Sequence, residues 1–406
     1  MADEPRPESA AAAAAGKLRF SVPRLLRQGT APFWHGSETS TLATWTWIAA
    51  ALIPAGLAVV ALGTAALSIL AMSVATALLA ETALGFAVGR PGVAEISSGG
   101  AQAQALLTGI LVALVLSPSA TGHTWYVPVT AVLLAVLVGQ TLLGGHGNHL
   151  WHPAALARVG VGLLFGRCLT SAGTGGPAGG AGVLTPVGAL VAMAAGDPRF
   201  FEPGRLPITV LVRDWLPPWG MTLFGGGAGG PTEMSEWLDV PLGAHAVGLI
   251  AAAILLGWRG HVRGWCILSA LAGATLAACV LPIQLPPAQG GRLYWFPGLA
   301  WDEGLPVGLA YVLHHLTAGE LLLVVLLLAG DSVTSPLTSR GQRWFGLGLG
   351  VLAIVLRLQG LADTAGYWAL LAMNTLVPLI DRRTKRRVYG TGPEAQRPWL
   401  RPRRGL

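Results

Sequence analysis

Long, uninterrupted runs of apolar residues constrain this sequence more than any other feature. A helix needs about 20 apolar residues to cross the hydrocarbon core of a bilayer. Only 11% of the 406 residues are charged, against about 25% in soluble domains, so the chain lacks the polar surface of a soluble enzyme. The runs are continuous rather than alternating, which favours helices over a barrel. The sequence therefore predicts an all-α integral membrane protein with about ten transmembrane helices. The apolar segments fall at about 41–62, 64–87, 102–118, 125–143, 154–166, 242–257, 265–282, 305–329, 344–359 and 364–380.

Basic residues set the expected orientation. The net charge of +7 comes mainly from arginines near the two ends of the chain. Cytoplasmic loops of membrane proteins carry an excess of Lys and Arg, so both termini are predicted to be cytoplasmic. These basic runs flank apolar helices, which indicates a lipid bilayer rather than a nucleic acid as the partner.

The expected domain organisation follows from this topology. Residues 1–40 form a disordered, basic N-terminal tail, and residues 41–166 form a first membrane half of five helices. Residues 167–241 form a long extracytoplasmic loop region, which precedes a second five-helix half at 242–381 and a basic tail at 382–406. Two five-helix halves of opposite orientation suit an inverted repeat.

Several polar residues are candidates for chemistry. The three cysteines form no CxxC pair, which argues against a disulfide framework or an iron–sulfur cluster. The cluster His146, Asn148, His149 and His152 lacks a nearby Cys or carboxylate, so a solvated loop is favoured over a metal site. Glu81 and Glu320 fall in or near apolar segments, which indicates ion or proton transfer or an interfacial position. No metal-ligating or catalytic residue is predicted.

Ordered sequence blocks carry a family resemblance. The stretches DSVTSPLTSRG (Asp331–Gly341) and MNTLVPLID (Met373–Asp381) are similar to characteristic motifs of the RnfD/NqrB family, the membrane proteins of Rnf-type electron-transport complexes and of the sodium-pumping NADH:quinone reductase. GGHGNHLWHPAALARV (Gly144–Val159) resembles that family's GGxGxNxFNPAM loop, and GPTEMS (Gly230–Ser235) and LLTGILVAL (Leu106–Leu114) match further blocks. The resemblance covers about residues 31 to 390.

The resemblance implies covalent FMN at a threonine outside the membrane. The family motif has the form SGATPLA, and the corresponding stretch here is GVLTPVGAL, which makes Thr185 the candidate acceptor. The preceding residues Gly182-Val183-Leu184 depart from the family's Ser-Gly-Ala. Alternatively, Thr185 only begins an apolar run in which Pro186 lies in a first helical turn.

The resemblance also implies a polar binding loop. The candidate cofactor-binding residues are Asp331, Thr334, Ser335 and Thr338, which offer hydroxyls and backbone donors at a helix end. A second, non-covalent flavin such as riboflavin is a further expectation. The alternative is a Ser/Thr/Pro turn that merely ends a membrane helix.

The functional expectation is a membrane subunit of an ion-translocating oxidoreductase complex dependent on ferredoxin or NADH. It would lie in the bacterial inner membrane and carry electrons through FMN, coupled to Na⁺ or H⁺ movement. Its partners would be the other subunits and a flavin transferase. A channel or permease is one alternative, and a structural subunit without flavin is another.

Overall fold

The computed structural model describes the chain in several stretches. These are residues 40–87, 99–117, 124–142, 149–170, 241–244, 246–284, 293–294, 296–302, 305–317, 320–359, 361 and 364–385. Thr185 and almost all of the predicted loop region 167–241 lie outside them.

Helices make up nearly all of the regular structure within these stretches. In the first half the helices are α1 (Ser40–Leu62), α2 (Thr64–Ala87), α3 (Gly99–Val115), α4 (Tyr126–Leu133, continued by a π-helix at Leu134–Leu142) and α5 (Pro153–Thr170). In the second half they are α6 (Ala246–Trp258), α7 (Gly264–Val280), α8 (Phe296–Asp302), α9 (Leu305–Thr317), α10 (Leu321–Leu323, continued by a π-helix at Val324–Leu328), α11 (Ser339–Leu358) and α12 (Ala365–Thr384). Two-residue strands, β1 (Ile283–Gln284) and β2 (Leu293–Tyr294), pair antiparallel.

The helical class is confirmed, but one predicted segment is wrong. The apolar run 305–329 is not a single helix, because α9 ends at Thr317 and a separate helix begins at Leu321. The short helix α8 was not predicted. Two helical stretches, Ser40–Val60 and Thr64–Ala87, are long and apolar enough to cross a membrane by length and composition. The count of ten crossings therefore stays a prediction.

Large apolar side chains cover much of the outer surface. Val60 and Trp258 are each 84% exposed, and Phe86 on α2 is 68% exposed. Further exposed apolar residues include Leu52, Leu67, Leu79, Leu163, Ile254, Leu268, Leu276 and Leu379. Soluble monomers rarely expose apolar surface of this extent, so a lipid environment explains it.

Helices α7 and α11 pack backbone to backbone. A Cβ atom added to Gly273 would lie 2.5 Å from the carbonyl oxygen of Leu347. Cβ atoms at Gly346 and Gly350 would overlap Cys266 and Ala270 of α7. Small residues permit this close approach, which is how membrane helices associate without a hydrophobic driving force.

Contacts along helix α12 show at which level of the helix bundle other residues lie. Its first turn contacts Glu320, its middle residue Asn374 contacts residues 152 and 334, and Thr384 in its last turn contacts Thr338. At 1.5 Å per residue, Gly366 and Asn374 are about 12 Å apart. Helix α10 with its π-helix therefore extends along only about half of the length of α12. The chain that follows runs along the other half without forming a helix.

The first half contains a matching interruption. Helix α5 begins at Pro153, directly after His152, whose backbone lies beside the middle of α12. In the second half the π-helix Val324–Leu328 is followed by a non-helical segment, residues 329–338, and then by α11. In the first half the π-helix Leu134–Leu142 precedes α5, and the described residues directly before α5, 149–152, are not helical. Two interrupted segments, one from each half, thus meet halfway along α12, as in transporters with discontinuous helices.

Candidate functional site

A partly open cavity of about 280 Å³ lies where the two interruptions meet. Its walls come from α1, α3, the π-helix after α4, and the two non-helical segments. The lining residues are Ser40, Ala43, Thr44, Trp47, Gln104, Leu107, Thr108, Leu111, Gln140, His149, His152, Pro153, Ala154, Asp331, Ser332 and Val333. This mixture of apolar walls and a few polar groups is typical of small-ligand sites.

Gln140 and Thr108 form a buried polar pair in the cavity wall. The side-chain amide of Gln140 donates to Thr108 Oγ1 at 2.8 Å, and Thr108 in turn donates to the carbonyl of Gln104 at 2.9 Å. Both side chains are almost fully buried. Because the bond to the Gln104 carbonyl holds the Thr108 hydroxyl in place, the Gln140 amide that donates to this hydroxyl is held in one orientation.

His149 and Asp331 bring the two halves together across the cavity. His149 Nε2 lies 3.9 Å from Asp331 Oδ2, and the Asp331 side chain is 21% exposed. Asp331 Oδ1 accepts a hydrogen bond from the Val333 backbone at 3.3 Å. A carboxylate and an imidazole at this separation attract each other when the imidazole carries a proton.

Asn374 joins the two interrupted segments from α12. Its side-chain nitrogen donates to the Thr334 carbonyl at 3.2 Å, and its oxygen accepts from the His152 backbone N–H at 3.1 Å, with the amide orientation assigned from these partners. Next to it, Trp151 Nε1 donates to Thr375 Oγ1 at 2.9 Å. Asn374 is fully buried, and it provides hydrogen-bond partners for one backbone group of each segment.

Arg263, directly before α7, stabilises the second interrupted segment by hydrogen bonds. Its guanidinium donates to the carbonyls of Ser335 and Pro336. Gln342 also donates to Pro336 through its side-chain amide, at 3.3 Å. These bonds satisfy carbonyls that the break in the helix leaves free.

The four residues predicted in the polar loop have different positions. Asp331 lines the cavity. Thr334 is buried, and its hydroxyl has no hydrogen-bond partner in the described part of the chain. Ser335 donates to the Asp331 carbonyl, and Thr338 caps α11 by accepting from Gly341 N at 3.0 Å. Ser335 and Thr338 thus make local turn and cap contacts, and Asp331 is the one of the four that lines the described cavity.

The prediction of a solvated histidine loop is wrong for the two histidines that the structure describes. His149 and His152 are 7% and 4% exposed, because they pack between α1 and the second interrupted segment. Residues His146 and Asn148 lie outside the described stretches. Within those stretches no group of three or more His, Cys, Asp or Glu residues is arranged to hold a metal ion.

Sequence reasoning missed Gln140, Thr108 and the role of Asn374. A signal for Gln140 and Thr108 existed, since both are polar residues inside apolar runs. Membrane segments seldom contain such residues without a structural or functional reason.

Comparison with known proteins identifies the family of this chain. A model of the NQR2, RnfD, RnfE family matches residues 28–390. A relative from Halorhodospira halophila, named as the D-type subunit of an ion-translocating oxidoreductase complex, is 31% identical over 81% of this chain and 85% of its own length. Proteins of the same name from Stutzerimonas stutzeri and Aeromonas hydrophila are each 29% identical, over 79% and 70% of this chain and 83% and 77% of their own lengths. The chain belongs to the NQR2, RnfD, RnfE family.

Proposed function

We propose that this protein is a membrane subunit of an ion-translocating oxidoreductase complex and that it carries electrons through bound flavin. The observation that carries the proposal is the family match across residues 28–390, together with relatives that are named as the D-type subunit of such complexes. The cavity at the meeting point of the two halves is the flavin site that we propose.

The chemistry of the cavity suits a neutral flavin. A flavin ring presents N–H and C=O groups along one edge, and Gln140, Thr108 and Asp331 offer matching acceptors and donors. Trp47 supplies an aromatic face. The described lining residues include no Arg or Lys and do include the Asp331 carboxylate, so a phosphate group is disfavoured there. The non-covalent ligand we propose is therefore riboflavin rather than FMN.

A covalent FMN at Thr185 is the second part of the proposal. It rests on the resemblance of GVLTPVGAL to the family motif, and it requires a flavin transferase as a partner. When bound, the flavin supplies the redox chemistry, while the protein binds it, orients it and limits its access to water.

The interrupted helices support coupling to an ion. The N-terminus of α5 carries a partial positive charge, and the end of the π-helix at Leu328 carries a partial negative charge from its carbonyls. The start of α5 lines the cavity at Pro153, and so does Asp331, three residues beyond Leu328. This resembles the arrangement that transporters use to bind ions halfway across the membrane. We further propose ten crossings of the bacterial inner membrane, with both termini cytoplasmic and Na⁺ or H⁺ as the coupling ion.

Replacing Gln140 with leucine tests the flavin site in the complex purified through a tag on this chain. Leucine keeps the volume and removes the amide, so one hydrogen bond to the flavin is lost. A loss of about 1.4 kcal/mol corresponds to about tenfold weaker binding. Flavin released by denaturation, measured by fluorescence after dilution, reports this change.

Thr130→Val is the matched control. Thr130 bonds only to its own helix, at the Tyr126 and Val127 carbonyls, and it does not line the cavity. Equal flavin retention in all three proteins would contradict the proposed site. A protein that holds no flavin and moves a solute without an electron donor would instead be a channel or permease.

A further inference from the structure

A second buried polar cluster lies at the opposite end of α12 from Thr384. Its charged and titratable side chains come from five helical segments that pack together there. Glu320 and Tyr367 are fully buried, and Arg357 and Arg158 are 3% and 5% exposed. The cluster is completed by His315 of α9.

Among the described residues, one oxygen of the Glu320 carboxylate has hydrogen-bond partners. Glu320 Oε1 accepts from the Gly366 backbone N–H at 3.0 Å and lies 3.4 Å from Arg357 Nη2. Arg357 also donates to the His315 carbonyl at 2.7 Å. A Cβ atom at Gly366 would lie 3.2 Å from Glu320 Cγ, so a glycine here lets the carboxylate reach the N-terminus of α12.

Three buried polar atoms of the cluster lack a hydrogen-bond partner within the described stretches. They are Glu320 Oε2, Tyr367 Oη and Arg158 Nε. Glu320 and Arg158 are both close enough to the Tyr367 hydroxyl to act on it electrostatically. Buried polar groups in native proteins are nearly always bonded to protein or to ordered water. Water molecules are the simplest partners for this set.

We propose that Glu320, Tyr367 and Arg158 hold ordered water and form a proton-transfer site between the cavity and the far end of α12. The proposal rests on the proposed function of the complex. A protonated water on one side gives its proton to Glu320 Oε2, which becomes a carboxylic acid. The acid then gives that proton to a water on the other side, and the carboxylate is restored. The Tyr367 hydroxyl positions the water between them.

The cluster suits a proton better than Na⁺. Arginine stays protonated in proteins, so Arg158, Arg357 and ionised Glu320 together carry a net charge of +1. In a low-dielectric interior this charge disfavours a resident cation, and Na⁺ would in addition need a shell of oxygen ligands. A proton needs no ligand shell of its own, because it moves along hydrogen bonds between waters. The distance of about 12 Å from Gly366 to Asn374 is short enough for a chain of a few waters to link the cluster to the cavity.

Proton movement per electron in the reconstituted complex tests this proposal. The complex is purified through a tag on this chain and placed in liposomes that contain a pH-sensitive dye. Electron transfer is started with NADH or reduced ferredoxin. Glu320→Gln is expected to lower the ratio of protons to electrons by about tenfold or more. Tyr367→Phe, which removes only a hydroxyl that has no hydrogen-bond partner among the described residues, is expected to lower it several-fold.

Ser73→Ala is the matched control, since Ser73 is also fully buried and its hydroxyl has no partner in the part of the chain that the structure describes, but it lies on α2. If Glu320→Gln does not assemble, Tyr367→Phe decides. An unchanged ratio in the assembled variants would overturn the proposal, and so would a high-resolution map without water at Glu320 Oε2. A wild-type complex without electron transfer would contradict the proposed function instead, and the map would still decide whether the cluster is hydrated.

Discussion

Replacing Gly350 with valine is expected to prevent assembly of the second half of the protein. Any side chain at this position would meet the Ala270 carbonyl and lie 2.5 Å from the Ala274 backbone nitrogen. Backbone atoms cannot move aside as a flexible side chain can, so α7 and α11 would have to separate. We expect a loss of more than about 4 kcal/mol in the free energy of unfolding. Yield of monodisperse protein in size-exclusion chromatography measures this effect.

Gly257→Ala provides the comparison for this experiment. Gly257 lies in the last turn of α6, and a Cβ atom there would meet nothing within 4 Å. Alanine also favours helix by about 1 kcal/mol over glycine, so this variant should assemble at least as well as the wild type. A normal elution profile and melting temperature for Gly350→Val would show that α7 and α11 do not pack as described.

Asn374→Leu is expected to disconnect the two interrupted segments. Leucine fits the volume but leaves the Thr334 carbonyl and the His152 N–H buried without partners. Each unsatisfied group costs about 1–3 kcal/mol, so the free energy of unfolding should fall by about 2–6 kcal/mol. Non-covalent flavin should be lost as well, because the segments that Asn374 joins also line the cavity. Thermal unfolding in detergent and the flavin released by denaturation measure the two effects.

Thr375→Ala tests whether this effect is specific to Asn374. Thr375 follows directly in α12 and accepts a hydrogen bond from Trp151 near the protein surface. Its loss should cost about 1 kcal/mol and leave flavin binding unchanged. If the two variants melt at the same temperature and retain equal flavin, Asn374 does not hold the site together.

Hydropathy predicted most helices well because each is a local property of the sequence. The runs 41–62 and 64–87 coincide closely with α1 and α2. The same property cannot detect a break inside an apolar run, and so 305–329 was predicted as one segment. The structure breaks it near Glu320, whose carboxylate meets the N-terminus of α12, 46 residues further along the chain. Contacts of that sequence separation leave no periodic signal.

Local sequence predicted the residues of the candidate site less well than it predicted the helices. Asp331 was predicted because the polar, proline-containing stretch Asp331–Gly341 resembles a motif of the RnfD/NqrB family. His149 and His152 were predicted to lie in a solvated loop because the sequence around them contains no Cys or carboxylate companion. Their burial depends on Trp47 of α1 and on the segment around Asp331, about 100 or more residues away in either direction. Only the assembled bundle brings these parts together.

Flavin attachment tests the central claim most directly. The protein is co-expressed with a flavin transferase, purified, and examined by intact mass spectrometry and in-gel flavin fluorescence beside a Thr185→Ala variant. We predict a fluorescent band that carries the mass of one FMN in the wild type and is absent in the variant. An unmodified mass and no bound flavin of any kind in the assembled wild-type complex would contradict the role of this chain as an electron carrier.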